Sequence, residues 1–106
     1  SKDGLTYTYK NGQTIRSKLF SIKFCANPRK RFSRVAVVVS KKVAKKAVQR
    51  NFLRRRLYSL IRPYIAQFQR NYDLIIIVHS AELGQVNFAE LETKIVAELK
   101  SQQILR

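Results

Sequence analysis

Residues 40–62 read SKKVAKKAVQRNFLRRRLYSLIR, with nine Lys or Arg and no Asp or Glu. Leucine and isoleucine nevertheless recur through the stretch at helical spacing. Carried on to residue 68, Val43, Ala47, Leu53, Leu57, Leu60, Ile61, Ile65 and Phe68 fall in one broad sector at about 100° per residue, which predicts an amphipathic helix over Val43 to Phe68. Pro63 predicts a kink or a restart, because proline removes a hydrogen bond and clashes with the preceding turn. Lys46, Arg50 and Arg54, spaced by four, lie in the same sector as Leu57, Ile61 and Phe68. A helix packed uniformly on a core cannot hold both sets, since an unpaired buried guanidinium is strongly unfavourable. The front of the helix is therefore expected to leave the core and face something anionic. Lys45, Arg55 and Arg62 point to the opposite, open side.

The flanking segments define the sheet. "RVAVVVS" before the helix is a β-branched run of strand length, and "YDLIIIV" after it suits a strand buried on both faces. Upstream, "KLFSIKFC" alternates with Phe20, Ile22 and Phe24 on one face, and "YKNGQ" carries an Asn-Gly pair typical of a tight turn. Together with "RVAVVVS" it is read as an antiparallel hairpin whose loop carries a basic tip of Arg29, Lys30 and Arg31. "NFAE", from Asn87 to Glu90, is an N-cap signal for a helix burying Phe88, Leu91, Ile95 and Leu99. The order strand, strand, helix, strand, helix, with an unassigned element before residue 12, predicts an α+β fold: a small mixed β-sheet with helices on one face. A right-handed crossover from Val35 to Val78 is the default.

At 106 residues and 45% apolar content the chain is a single domain, 1–106. Its formal charge is +16, and no acid occurs between Gly4 and Tyr72. A strongly positive body backed by a near-neutral helix is the footprint of a nucleic-acid binder. One cysteine, Cys25, and one histidine, His79, leave no internal disulfide and no ordinary zinc site. No apolar run is long enough to span a bilayer and no signal peptide is visible, so a cytoplasmic protein is expected.

The basic cluster predicts RNA contacts at Lys41, Lys42, Lys45, Lys46, Arg50, Asn51, Arg54, Arg55 and Arg62. Asn51 equally suits a local backbone cap. If six to ten cations neutralise phosphates, affinity should fall by about 10³–10⁵ between low and moderate salt. Tyr7, Tyr9, Phe20 and Phe24 are candidates to stack unpaired bases, although Phe20 and Phe24 also suit ordinary core packing. No carboxylate cluster or His pair provides a nuclease site, so no catalytic residue is assigned. Asp73 suits an ion pair with an arginine, and His79 a strand end. A ribosomal or other structural RNA-binding protein would share this size and charge. A membrane-surface helix would separate its cations from the apolar stripe, whereas here they overlap.

"VAVVVSKKVAKKAVQRNFLRRRLYSLIR", followed by "YDLIIIV" and "NFAELETKIVAEL", resembles the protein component of bacterial ribonuclease P, from Tyr9 onward. The resemblance implies a left-handed βαβ crossover containing the basic helix, in place of the right-handed default. It also implies an accessory subunit, inactive alone, that binds ribonuclease P RNA, one protein per RNA. The 5′ leader of precursor tRNA would lie in a cleft between the sheet and an N-terminal helix. The RNA would carry the phosphodiester chemistry with Mg²⁺, the protein binding no metal itself. Tyr9 matches a leader-cleft aromatic, and Leu5 stands where another is usual. The usual Arg-Asn-Arg triplet is Arg50-Asn51-Phe52 here, with Arg54, Arg55 and Arg56 near enough to compensate. Much of the N-terminal helix and the basic segment before it is expected to be missing.

Overall fold

The computed structural model describes residues 2–106, with side-chain surroundings from Leu5 onward. Helix α1 (Lys2–Asn11) leads into strands β1 (Gln13–Arg16), β2 (Phe20–Ala26) and β3 (Arg34–Val38). Helix α2 (Ala47–Ile65), strand β4 (Tyr72–Val78), a 3-10 turn (Ala81–Gln85) and helix α3 (Phe88–Ser101) follow. The four strands form one mixed sheet in the order β1-β2-β4-β3.

The predicted hairpin between the second and third strands is not formed. β4 lies between them, antiparallel to β2 with Ile22 opposite Ile76, and parallel to β3 with Val37 opposite Ile76. The physical reason is the run Leu74–Val78: apolar side chains on both faces are best buried at the centre of a sheet, so β4 takes that place and pushes β3 to an edge. The antiparallel hairpin of this fold is β1–β2, with Ile15 opposite Ile22.

The Asn-Gly pair also does something other than expected. It ends α1 and turns the chain into β1, with the Gly12 N–H donating to the Thr8 carbonyl at 2.8 Å. A Cβ at Gly12 would stand 2.6 Å from that oxygen and 2.8 Å from the Phe24 carbonyl, so the helix end can approach β2 this closely only with glycine.

The two faces of the sheet are covered differently. Phe20, Ile22, Phe24, Val37, Leu74, Ile76 and Val78 face α2 and α3 and join Leu53, Leu57, Leu60, Ile61, Leu91, Ile95 and Leu99 in one core. The opposite face carries Ser21, Lys23 and Ile75, and α1 lies against it with Thr8 buried. Helices thus cover both faces, where one was expected, because the segment before residue 12 is itself a helix.

α2 begins at Ala47, four residues later than the periodicity predicts. No acid stands in its first turn and Lys46 supplies no side-chain cap, while the lysines before it oppose the positive helix end. Residues 40–46 turn instead about Ser40, whose carbonyl accepts from the N–H groups of Val43 and Ala44. Pro63 falls in the last turn and does not interrupt the helix, which stops at Ile65 rather than reaching Phe68. α3 starts where the cap predicts, with Asn87 Oδ1 accepting from the Glu90 N–H at 3.1 Å. Phe88, expected in its buried stripe, stays partly exposed at the edge, with the Arg56 guanidinium 5.6 Å from its ring centre.

Candidate nucleic-acid interface

The turn ahead of α2 is pinned to the core by Ala44, which is buried, while its cationic side chains stand clear. Lys41, Lys42, Lys45 and Lys46 are exposed, and their side chains form no hydrogen bond or ion pair among the described residues. The buried positions of the helix are Leu53, Leu57, Leu60 and Ile61, all at or beyond its second turn. Glu90, Glu92 and Glu98 make no ion pair with Lys46, Arg50 or Arg54, and Glu92 instead accepts from the Tyr64 hydroxyl at 2.8 Å. This part of the surface is therefore a concentration of uncompensated positive charge, unfavourable for the isolated fold and suited to a polyanion.

The arginines divide by what they touch. Arg50 is half-buried and donates to the carbonyls of Ala44 at 3.0 Å and Lys45 at 2.7 Å, fastening the lysine-bearing turn to the helix. Arg54 donates to Asn51 Oδ1 at 3.0 Å, so Asn51 holds this guanidinium in place rather than capping the backbone. Arg55 is exposed and unengaged, as is Arg62. Arg62, however, lies three turns beyond Arg50, about 18 Å along the axis, so the helix does not bring it into the cluster. Arg56 donates to the Val86 carbonyl and lies over the Phe88 ring, tying α2 to the loop before α3. Phe52, in place of the usual arginine, is exposed and lies over Gly84.

The second region is the sheet face covered by α1. Tyr7 and Tyr9 are each more than half exposed on this helix. Lys23 Nζ lies 4.7 Å from the Tyr9 ring centre and donates to the Tyr9 carbonyl at 2.8 Å, so the ring and the cation are presented together. Phe20 and Phe24 require correction. They are 1% and 6% exposed and point into the core beneath α2 and α3, because alternation along β2 sends Ser21 and Lys23, not the phenylalanines, to the α1 side. Neither can meet a base in this fold. The same alternation places Lys23 on the α1 side, and only the fold supplies its partner there, the Tyr9 carbonyl and ring. Beside it, Ser21 shares a 2.7 Å hydrogen bond with His79 Nε2.

Asp73 is buried at the start of β4 and is bound by Arg34 in a two-pronged pair, at 2.9 Å to Oδ1 and 2.8 Å to Oδ2, with Asn27 adding a third donor. Burial alone raises its pKa, but the hydrogen bonds from Arg34 and Asn27 and the charges of Arg34 and Lys30 outweigh burial and hold it below the ordinary carboxylate value. It is thus a structural carboxylate. Among the described residues, no three His, Cys, Asp or Glu side chains come together as metal ligands, and no helix is long and apolar enough to cross a membrane.

Fold and charge together define a small α+β domain with an uncompensated cationic helix end and a second cationic-aromatic face. The family model for ribonuclease P matches residues 2–102, and the chain belongs to the ribonuclease P protein component family. Such proteins are the accessory subunits of an endoribonuclease that processes tRNA. Relatives so named include those of Pseudanabaena sp. (strain PCC 6903), 28% identical over 90 residues, and Carboxydothermus hydrogenoformans, 39% identical over 70. A third, from Thermus aquaticus, is 33% identical over 97 residues. These matches span 85%, 65% and 92% of this chain, but 77%, 60% and 55% of the respective relatives. Among solved structures, the RNase P protein of Thermotoga maritima is 25% identical, with a TM-score of 0.79 over 94% of this chain and 92% of that one. That of Staphylococcus aureus is 20% identical and shares the fold, with a TM-score of 0.81 over 100% and 94%.

Proposed function

We propose that this chain is the protein subunit of a bacterial ribonuclease P, working in the cytoplasm as one copy per catalytic RNA. The exposed lysines 41, 42, 45 and 46, with Arg54 and Arg55, bind phosphates of the ribonuclease P RNA. The α1 side of the sheet, with Tyr7, Tyr9 and Lys23, receives the single-stranded 5′ leader of precursor tRNA. Hydrolysis of the phosphodiester, with its Mg²⁺, belongs to the RNA, and the protein supplies binding energy and charge neutralisation. The observation that carries this reading is the unneutralised cationic front of α2, in a chain whose family is ribonuclease P. Relief of that repulsion comes from a partner and not from the fold.

Reconstitution tests it. Added to its cognate ribonuclease P RNA at low Mg²⁺ with a leader-bearing precursor tRNA, the protein should raise cleavage at the mature 5′ end, and alone it should cleave nothing. A folded protein that leaves the rate unchanged would overturn the assignment. Copurification with ribosomal subunits in place of one abundant noncoding RNA would favour a structural ribosomal role.

A further inference from the structure

At the far end of α2 from the lysines, residues 27–33 join β2 to β3 with the sequence NPRKRFS. The loop is fastened to the start of β4. The Asn27 N–H donates to the Asn71 carbonyl at 2.8 Å, and the Tyr72 N–H donates to Ser33 Oγ at 2.9 Å. Between them, Asn71 Nδ2 donates to the Lys30 carbonyl, and Asn27 Nδ2 reaches Asp73 at 2.8 Å. These bonds hold the backbone at both ends and at the tip, so the side chains between them stand on a fixed platform.

Phe32 projects from that platform 64% exposed, and no other aromatic ring stacks on it among the described residues. Between the loop and the last turn of α2 lies an open groove of about 540 Å³, floored by Ile65, Ala66 and Phe68 and flanked by Arg31, Phe32 and Arg62. Its volume is in the range of small-ligand sites. Arg31 and Arg62 line it, Arg29 and Lys30 are exposed on the same loop, and the side chains of all four make no hydrogen bond or ion pair among the described residues. The carboxylate at this end, Asp73, is already engaged by Arg34 and Asn27. An exposed ring beside an apolar groove, flanked by two unengaged arginines, matches a stacked base between two phosphates.

We propose that loop 27–33 and the end of α2 form a third RNA-contact site, which takes an unpaired nucleotide with its base on Phe32 and its flanking phosphates on Arg29, Arg31 and Arg62. The proposal rests on the RNA-binding reading above and adds a contact about 28 Å away, the length of a 19-residue helix. One RNA could then be held at both ends of α2, which fixes its direction across the protein as well as its attachment.

The test is equilibrium binding of the full chain to two probes, the cognate ribonuclease P RNA and a leader-bearing precursor tRNA. Phe32→Ala and Phe32→Leu should weaken binding to one of them by about five- to a hundredfold, while Phe32→Trp keeps it. Arg29→Gln with Arg31→Gln should lower the steepness of the salt dependence by between about 1 and 2 on that same RNA. Because Phe32 is exposed, melting temperatures should not move, and a large fall for Phe32→Ala would show the ring to be structural and overturn the site. Wild-type affinity for both RNAs in Phe32→Ala and Phe32→Leu would overturn it too, leaving the function intact. Failure of the wild-type chain to bind either RNA would overturn both readings.

Discussion

The two halves of α2 carry the same sequence period and opposite environments. From Leu53 onward the repeat is apolar and is matched by strands and by α3. Ahead of Leu53 the same angular sector is filled by Lys46 and Arg50, and the helix runs past the edge of the core, with Ala47 and Val48 exposed as well. Periodicity therefore tells which side of a helix could be buried, whereas the residue types along that side tell how far burial extends. A helix can be anchored at one end and offered to a partner at the other.

That contrast is easiest to break from the buried half. Leu57 is fully buried, and Leu57→Ala should cost about 3–5 kcal/mol of stability in urea unfolding, with RNA affinity per folded molecule unchanged. A cost near zero would mean that this half is not anchored. The next largest effect is expected at Asp73. Asp73→Ala strands the Arg34 guanidinium and should cost about 3 kcal/mol. Since the folded-state pKa of Asp73 lies below its unfolded value, its contribution is present above roughly pH 4 and is lost as pH falls through the depressed folded value. Asp73→Asn should accordingly show a shallower loss of stability on acidification than the wild type, as read by melting temperature against pH.

In the projecting half the arginines sharpen the comparison. Arg50→Ala removes two bonds to the carbonyls of Ala44 and Lys45, and should lower stability by about 1–2 kcal/mol as well as weakening RNA binding. Lys46→Ala combined with Arg55→Ala should weaken RNA binding while shifting stability by less than about 0.5 kcal/mol, the usual range for exposed sites. Equal thermal losses in the two variants would erase the distinction between an arginine that builds the site and cations that face the ligand.

The sequence made the helical period, the central character of Leu74–Val78 and the cap at Asn87 legible, because each depends on a few neighbouring residues. Strand order was not legible: a hairpin between β2 and β3 satisfies local rules as well as the real arrangement, and only competition for the doubly buried central position decides against it. For the site, the lysines were visible as a charge run with no acid to pair with. Phe20 and Phe24 suit base stacking or core packing on the sequence, since alternation says that they share a face but not which layer covers it, and the structure buries them. Lys23 went unnoticed because its partner is an α1 carbonyl and ring that only the folded chain brings near. The structural bonds of Arg50 and Arg56 were not legible, because they depend on the position of backbone carbonyls, which carry no mark in the sequence.

The central claim is that the charge ahead of Leu53 is balanced by RNA and not by the protein. It is tested most directly by the salt dependence of binding to the cognate ribonuclease P RNA, measured for the wild type and for Lys41, Lys42, Lys45 and Lys46 changed together to Gln. The slope of log affinity against log salt should fall by about 3 while the melting temperature stays level or rises, because about 0.7–0.9 of a counterion is released per phosphate neutralised and the removed charges repel one another. An unchanged slope together with a lower melting temperature would place those lysines in the fold and contradict the account.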